Sequence, residues 1–121
     1  MIKTIANEAK TLSQIAVEGL QDKKGVDILR MDLTNVSGAV TDFFVISTGT
    51  SDRHVQALAN SVADMIEEST GEKPLNKEGL LQGEWVLLDY VNLVVHVFQK
   101  EKREFYNIEE LWGDAHFEKF E

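Results

Sequence analysis

Thr41-Asp42-Phe43-Phe44-Val45-Ile46-Ser47-Thr48-Gly49-Thr50-Ser51-Asp52-Arg53-His54-Val55-Gln56-Ala57-Leu58 is the stretch that decides the fold. Phe43–Ile46 is apolar at odd and even positions alike, which predicts a central strand covered by helices on both sides. The chain then passes through Ser47–Ser51 straight into a helix over about 52–69. Val55, Leu58, Ala59, Val62, Met65 and Ile66 share one stripe of that helix, and Thr50 or Ser51 is placed to cap it. A strand emptying into a helix leaves backbone N–H groups at the helix mouth, where an anion or a partner's carboxylate can dock.

Upstream, Ile5, Ala9, Leu12, Ile15, Ala16 and Leu20 recur at helical spacing, so residues from about 3 to 22 read as an amphipathic helix ended by Lys23-Lys24-Gly25. Val26–Leu33 alternates Ile28, Arg30 and Asp32 against Leu29, Met31 and Leu33, which predicts a strand buried on one face only. Downstream, Gly71 closes the second helix, and Pro74 allows at most a short edge strand before the Glu78–Gly83 loop. Trp85–Tyr90 and Leu93–Phe98 are joined so tightly around Val91-Asn92 that they must form an antiparallel hairpin. The charged stretch Lys100–Glu104 leads to Phe105-Tyr106. Asn107-Ile108-Glu109-Glu110 then has the spacing of a capping box opening a short helix through Leu111 and Trp112. The sum is an α/β chain: a single-domain sandwich over residues 1–121 with a mixed sheet flanked by helices. The tail Ala115–Glu121 receives no assignment.

Composition narrows the function. With 121 residues, 43% of them hydrophobic, the chain is one domain able to bury a core. It has no cysteine, so disulfides, thiolate nucleophiles and cysteine-bound metals are excluded, in keeping with a reducing cytosol. Charge interrupts the apolar residues of Met1–Glu8, which match neither a signal-peptide core nor a transit peptide, and no stretch approaches membrane-spanning length. Twenty-one acidic against 12 basic residues give a net charge of −9. Such a field repels phosphate backbones, disfavouring nucleic acid, and would steer the chain toward a partner rich in lysine and arginine, although taken alone such acidity is ordinary for a soluble protein.

Five ordered blocks carry a resemblance that spans nearly the whole chain. They are Thr41–Val55; Glu78-Gly79; Trp85-Val86-Leu87-Leu88-Asp89-Tyr90; Val94-Val95-His96-Val97-Phe98; and Arg103-Glu104-Phe105-Tyr106 with Leu111-Trp112. In that order and at those spacings the chain resembles the ribosomal silencing factor family, also called the Iojap-related family. The resemblance implies a fold related to the nucleotidyltransferases, with about five strands. It also implies a cytoplasmic, non-enzymatic regulator that docks on a large ribosomal subunit protein, the fourteenth of that subunit's series, and so blocks subunit joining. Self-association when free is a further implication. The partner surface implied is the Trp-to-Tyr strand with its hairpin, here Trp85, Leu87, Asp89 and Tyr90, to which Arg53 is added at the helix mouth. The family often places glycine straight after this strand, where the present chain has Val91-Asn92, and valine resists the positive φ of a primed hairpin turn.

An enzyme of the nucleotide-binding or nucleotidyl-transferring class is the alternative, using the Thr48–Ser51 mouth with Arg53 and Asp89. That chemistry needs two carboxylates converging on magnesium, at i and i+2 of a strand. Trp85, Leu87 and Asp89 share one face and Val86, Leu88 and Tyr90 the other, so Asp89 lacks a mate. No catalytic, metal or cofactor residue is therefore expected. His54, His96 and His116 lie far apart without HxxxH or HxH spacing, against a zinc site. His96 reads as a core group bonded to a neighbouring hydroxyl or carbonyl, and His54 as facing an anion or solvent at the helix start. Tryptophan, tyrosine and arginine are the usual interface anchors, which makes Trp85 and Tyr90 candidates, although core packing is the commoner fate of a tryptophan in an apolar strand; the resemblance is what tips Trp85 toward the partner surface. Phe105, Tyr106 and Trp112 read as the lid of the core.

Overall fold

The computed structural model describes residues 2–121, with side chains from Glu8 onward; the Ile5 position of the first stripe lies outside the described side chains. The elements run α1 (Ile2–Asp22), β1 (Val26–Asp32), β2 (Phe43–Gly49), α2 (Asp52–Thr70), β3 (Asn76–Glu78), β4 (Trp85–Asp89), β5 (Leu93–Gln99), α3 (Lys100–Tyr106), α4 (Ile108–Leu111) and β6 (His116–Phe120). The strands form one mixed sheet in the order β3-β4-β5-β2-β1-β6, in which β2 and β5 are parallel and every other neighbouring pair is antiparallel. This is the α/β architecture expected, with six strands rather than about five.

β2 is buried at all seven positions, as its two-faced apolar run requires. On one face Phe43 and Val45 join Ile28, Val86, Leu88, Leu93, Val95 and Val97 beneath α1 and α2. On the other face Phe44 and Ile46 join Leu29, Met31, Leu33, Val94 and Phe98, with Ile108, Trp112 and Phe117 packed against them. The two long helices approach closely where Gly19 lies against Val62: a Cβ there would stand 3.0 Å from the valine Cα. Ser61 donates to the Gly19 carbonyl at 2.7 Å across the same crossing. Ser51 caps α2 by accepting the His54 N–H at 3.0 Å, and Gly71 ends it in the left-handed conformation.

Three expectations are corrected. First, β1 is buried on both faces, with Ile28, Leu29, Arg30 and Met31 all buried. Arg30 is not a solvent residue but lies 5% exposed under α1, where its guanidinium donates to Ser13 Oγ at 3.2 Å, Gln14 Oε1 at 3.3 Å and Glu118 Oε1 at 2.7 Å. Second, the unassigned tail supplies β6, which pairs with β1 from Ile28↔Phe120 to Asp32↔His116 and brings Glu118 to Arg30. Third, the Asn107 capping box does not form; the unassigned stretch before it, Lys100–Tyr106, is a helix built from the helix formers Lys, Glu and Arg. Asn107 ends it at φ 45°, and its side chain donates to Glu110 Oε2 rather than capping a backbone N–H.

Candidate functional site

α3 lies over β5 and β2, which leaves β4 and the short edge strand β3 only partly covered on that side of the sheet. β4 alternates half-buried and buried positions: Trp85, Leu87 and Asp89 face outward, while Val86 and Leu88 face α1 and α2. Residues directly opposite in an antiparallel ladder share a face. The pairs Leu87↔Glu78 and Asp89↔Asn76 therefore add Glu78 and Asn76 to the outward side. The result is an apolar centre, Trp85 and Leu87, bordered by the carboxylates of Glu78 and Asp89.

Aromatic rings support this face from beneath and beside. The Trp85 ring stacks on Phe98 at 4.9 Å between centroids, meets Tyr106 at 4.6 Å with the rings tilted by 42°, and lies 5.9 Å from His96. Its indole Nε1–H donates to His96 Nδ1 at 3.0 Å. His96 is 5% exposed, and burial pushes its pKa down to about 4, so the ring is neutral near pH 7. The acceptor role of Nδ1 puts the proton on Nε2, which has no partner among the described residues. His96 is thus a core residue as expected, but its partner is an indole, not a hydroxyl or carbonyl. The hairpin register could have revealed this: once Tyr90 N–H bonds the Leu93 carbonyl, Leu87 must face His96 and Trp85 becomes its diagonal neighbour.

The remaining candidates lie elsewhere. Tyr90 turns to the helix side and is only 5% exposed, because it follows the parity of Val86 and Leu88. Burial, with Glu72 and Glu67 nearby, raises its hydroxyl pKa to about 12. Arg53 stands exposed on the first turn of α2, in the opposite layer from Trp85. Phe105 and Tyr106 do not form a lid: they are 78% and 46% exposed, and their edge-to-face contact at 5.1 Å extends the Trp85 cluster into solvent. Trp112 does close on the core, edge-on to Phe44.

The helix mouth is filled from within. Arg53 N–H donates to Asp52 Oδ1 at 2.8 Å, His54 N–H to Ser51, and Thr50 N–H to His54 Nδ1 at 2.9 Å. That last bond leaves His54 Nε2–H to donate to the Lys23 carbonyl at 2.8 Å, so His54 ties the end of α1 to the start of α2 and faces neither an anion nor bulk water alone. Gly83 closes the entrance, where a Cβ would meet the Asp52 carbonyl oxygen at 2.7 Å. Asp89 lies at the far end of β4, about 13 Å along the strand from the Trp85 end that adjoins the mouth. The residues of a nucleotidyl-transfer site are not brought together, and among the described residues no three His, Asp or Glu side chains converge as metal ligands.

At the hairpin, Val91 adopts φ 75°, the positive value that valine resists. Three bonds hold it there: Asn92 N–H to the Tyr90 carbonyl, Val91 N–H to Asp89 Oδ1 at 2.8 Å, and Thr41 Oγ1–H to the Val91 carbonyl at 2.8 Å. Asp89 therefore serves the turn with one oxygen while bordering the outward face.

Comparison with known proteins places this geometry. Residues 6–121 match the family described as "Ribosomal silencing factor during starvation", so the tail left unassigned, which forms β6, lies within the match. The chain is 42% identical over 106 residues to ribosomal silencing factor RsfS of Bacillus subtilis, covering 88% of each chain. A crystal structure of a Chromobacterium violaceum protein superposes with a TM-score of 0.81 at 39% identity, covering 86% of this chain and 85% of that one. A mouse protein named "Mitochondrial assembly of ribosomal large subunit protein 1" is 34% identical over 74 residues, 60% of this chain and 32% of the mouse protein. Together with the sheet order and the five sequence blocks, these matches identify the chain as a member of the ribosomal silencing factor family.

Proposed function

We propose that this chain is a cytoplasmic, non-enzymatic repressor of translation that docks through the outward face of β4 on a protein of the large ribosomal subunit, the fourteenth of its series, and keeps the small subunit from joining. The observation that carries the reading is the composition of that face. An apolar centre of Trp85 and Leu87, widened by the exposed rings of Phe105 and Tyr106, is rimmed by Glu78 and Asp89. Such a surface suits a partner with an apolar anchor pocket inside a basic rim, the pairing that a net charge of −9 would accelerate by steering.

Steric exclusion needs no turnover, in keeping with a helix mouth whose Thr50, Arg53 and His54 N–H groups are already occupied. Tyr90 and Arg53 fall outside this contact, the first by burial and the second by layer. The test is equilibrium binding of the purified chain to the purified subunit protein, with Leu87→Asp as the probe. Leu87 is half-buried at the centre of the face, so a carboxylate there should weaken binding at least tenfold while far-ultraviolet circular dichroism is retained. Binding of the variant at wild-type strength would move the contact elsewhere.

A further inference from the structure

We propose that His96 is a positioning residue for docking: its buried Nδ1 holds the Trp85 indole in the one orientation that presents the ring to the partner. This deepens the proposed function and rests on it.

The geometry has three parts. The Trp85 Nε1–H bond to His96 Nδ1, at 3.0 Å, is the indole's hydrogen bond among the described residues. The imidazole cannot swing away, because Phe44 stands edge-to-face against it at 4.8 Å and Phe98 lies parallel to it at 5.9 Å, 13° between planes. Phe98, stacked at 4.9 Å, and Tyr106, tilted at 4.6 Å, then pack against the indole itself. A phenylalanine at position 96 would fill the same aromatic gap without the Nε2–H, which is buried and unpartnered among the described residues. What the histidine adds to this core is an acceptor aimed at Trp85.

Locking a half-exposed tryptophan before contact removes the ordering cost that a freely rotating anchor would meet on binding. The neutral state favoured by burial keeps the Nδ1 lone pair available near pH 7. Burial alone sets it: the rings packed against the imidazole are Phe44 and Phe98, and its cross-strand partners Leu87 and Ile46 are apolar as well.

The chain holds two tryptophans, so two indole N–H signals appear in a proton–nitrogen correlation spectrum, and Trp85→Phe assigns them. His96→Phe keeps the ring contacts and removes the acceptor. The Trp85 signal should then move upfield and exchange with solvent about tenfold faster, and the lifetime on purified large subunits should shorten by about tenfold. His96→Asn, whose Oδ1 falls near the Nδ1 position, should restore both readings in large part. His96→Leu is the second acceptor-free variant, should the phenylalanine fail to fold.

An unchanged indole signal in the acceptor-free variant overturns the proposal. So does a shifted signal with an unchanged lifetime. If Trp85→Ala binds subunits like the wild type, the docking reading itself has failed and the positioning role falls with it, whatever the spectrum shows.

Discussion

Glu118→Ala is the perturbation that tests how β6 is held. Arg30 is 5% exposed, and its carboxylate partner among the described residues is Glu118, which meets Nη2 at 2.7 Å and Nε at 3.3 Å. Ser13 and Gln14 satisfy Nη1, and the Phe120 ring lies 5.3 Å from the guanidinium carbon, but neither supplies negative charge. Stripping the partner from a buried ion costs about 3–5 kcal/mol. The Glu118 side chain is 43% exposed, so water reaches the vacated side and the expected loss falls to about 2 kcal/mol. At about 2.1 cal/mol/K of unfolding entropy per residue, a chain of 121 residues loses about 8 °C in melting temperature. Thermal melts by circular dichroism measure it. The double variant Arg30→Met, Glu118→Ala should recover to within about 1 kcal/mol of the wild type, because the stranded charge is gone. A single variant that melts within about 2 °C of the wild type would refute this account of β6.

Three further outcomes follow from particular residues. The His96 pKa falls from 6.5 unfolded to about 4 folded, so the unfolded chain binds the extra proton; stability is full above pH 6.5 and drains as pH falls toward 4. At about 1.4 kcal/mol per pH unit the loss reaches about 3 kcal/mol, and urea midpoints at pH 7 and pH 4.5 for wild type and His96→Phe should show a smaller acid loss in the variant. Val91→Gly relieves a strained φ of 75° and should raise stability by about 1 kcal/mol, read as a melting temperature about 4 °C higher; a lower value would mean the strain is absent. Gly79→Ala should cost about 3 kcal/mol or more, since φ is 80° and a Cβ would overlap the Trp85 carbonyl oxygen. Hydrogen exchange in β3 and β4 should reveal it first, and native protection there would contradict the geometry.

What the sequence made legible followed from local pattern. The two-faced run Phe43–Ile46, the Ser51 cap and the tight Tyr90–Leu93 turn each constrain their own neighbourhood, and the parity of β4 correctly separates Trp85, Leu87 and Asp89 from Tyr90. What escaped depends on distant partners. His116-Phe117-Glu118-Lys119-Phe120 alternates only weakly and becomes a strand because β1 offers an edge and Arg30 a charge. Arg30 looked solvated because its burial is made tolerable by a residue 88 positions away. The helix mouth looked open because nothing in Thr50–His54 announces that the histidine ring turns back on its own loop and across to Lys23. Phe105 looked like core because apolar side chains usually are, yet α3 presents it to solvent beside Tyr106.

Subunit joining is the direct measure of the central claim. Purified large subunits are preincubated with the chain, mixed with small subunits, and followed by light scattering. The wild type should suppress the rise in scattering in proportion to its occupancy. Trp85→Ala, shown folded by circular dichroism, should leave joining nearly at its unopposed rate. Joining that proceeds equally with wild type and without it would contradict the account.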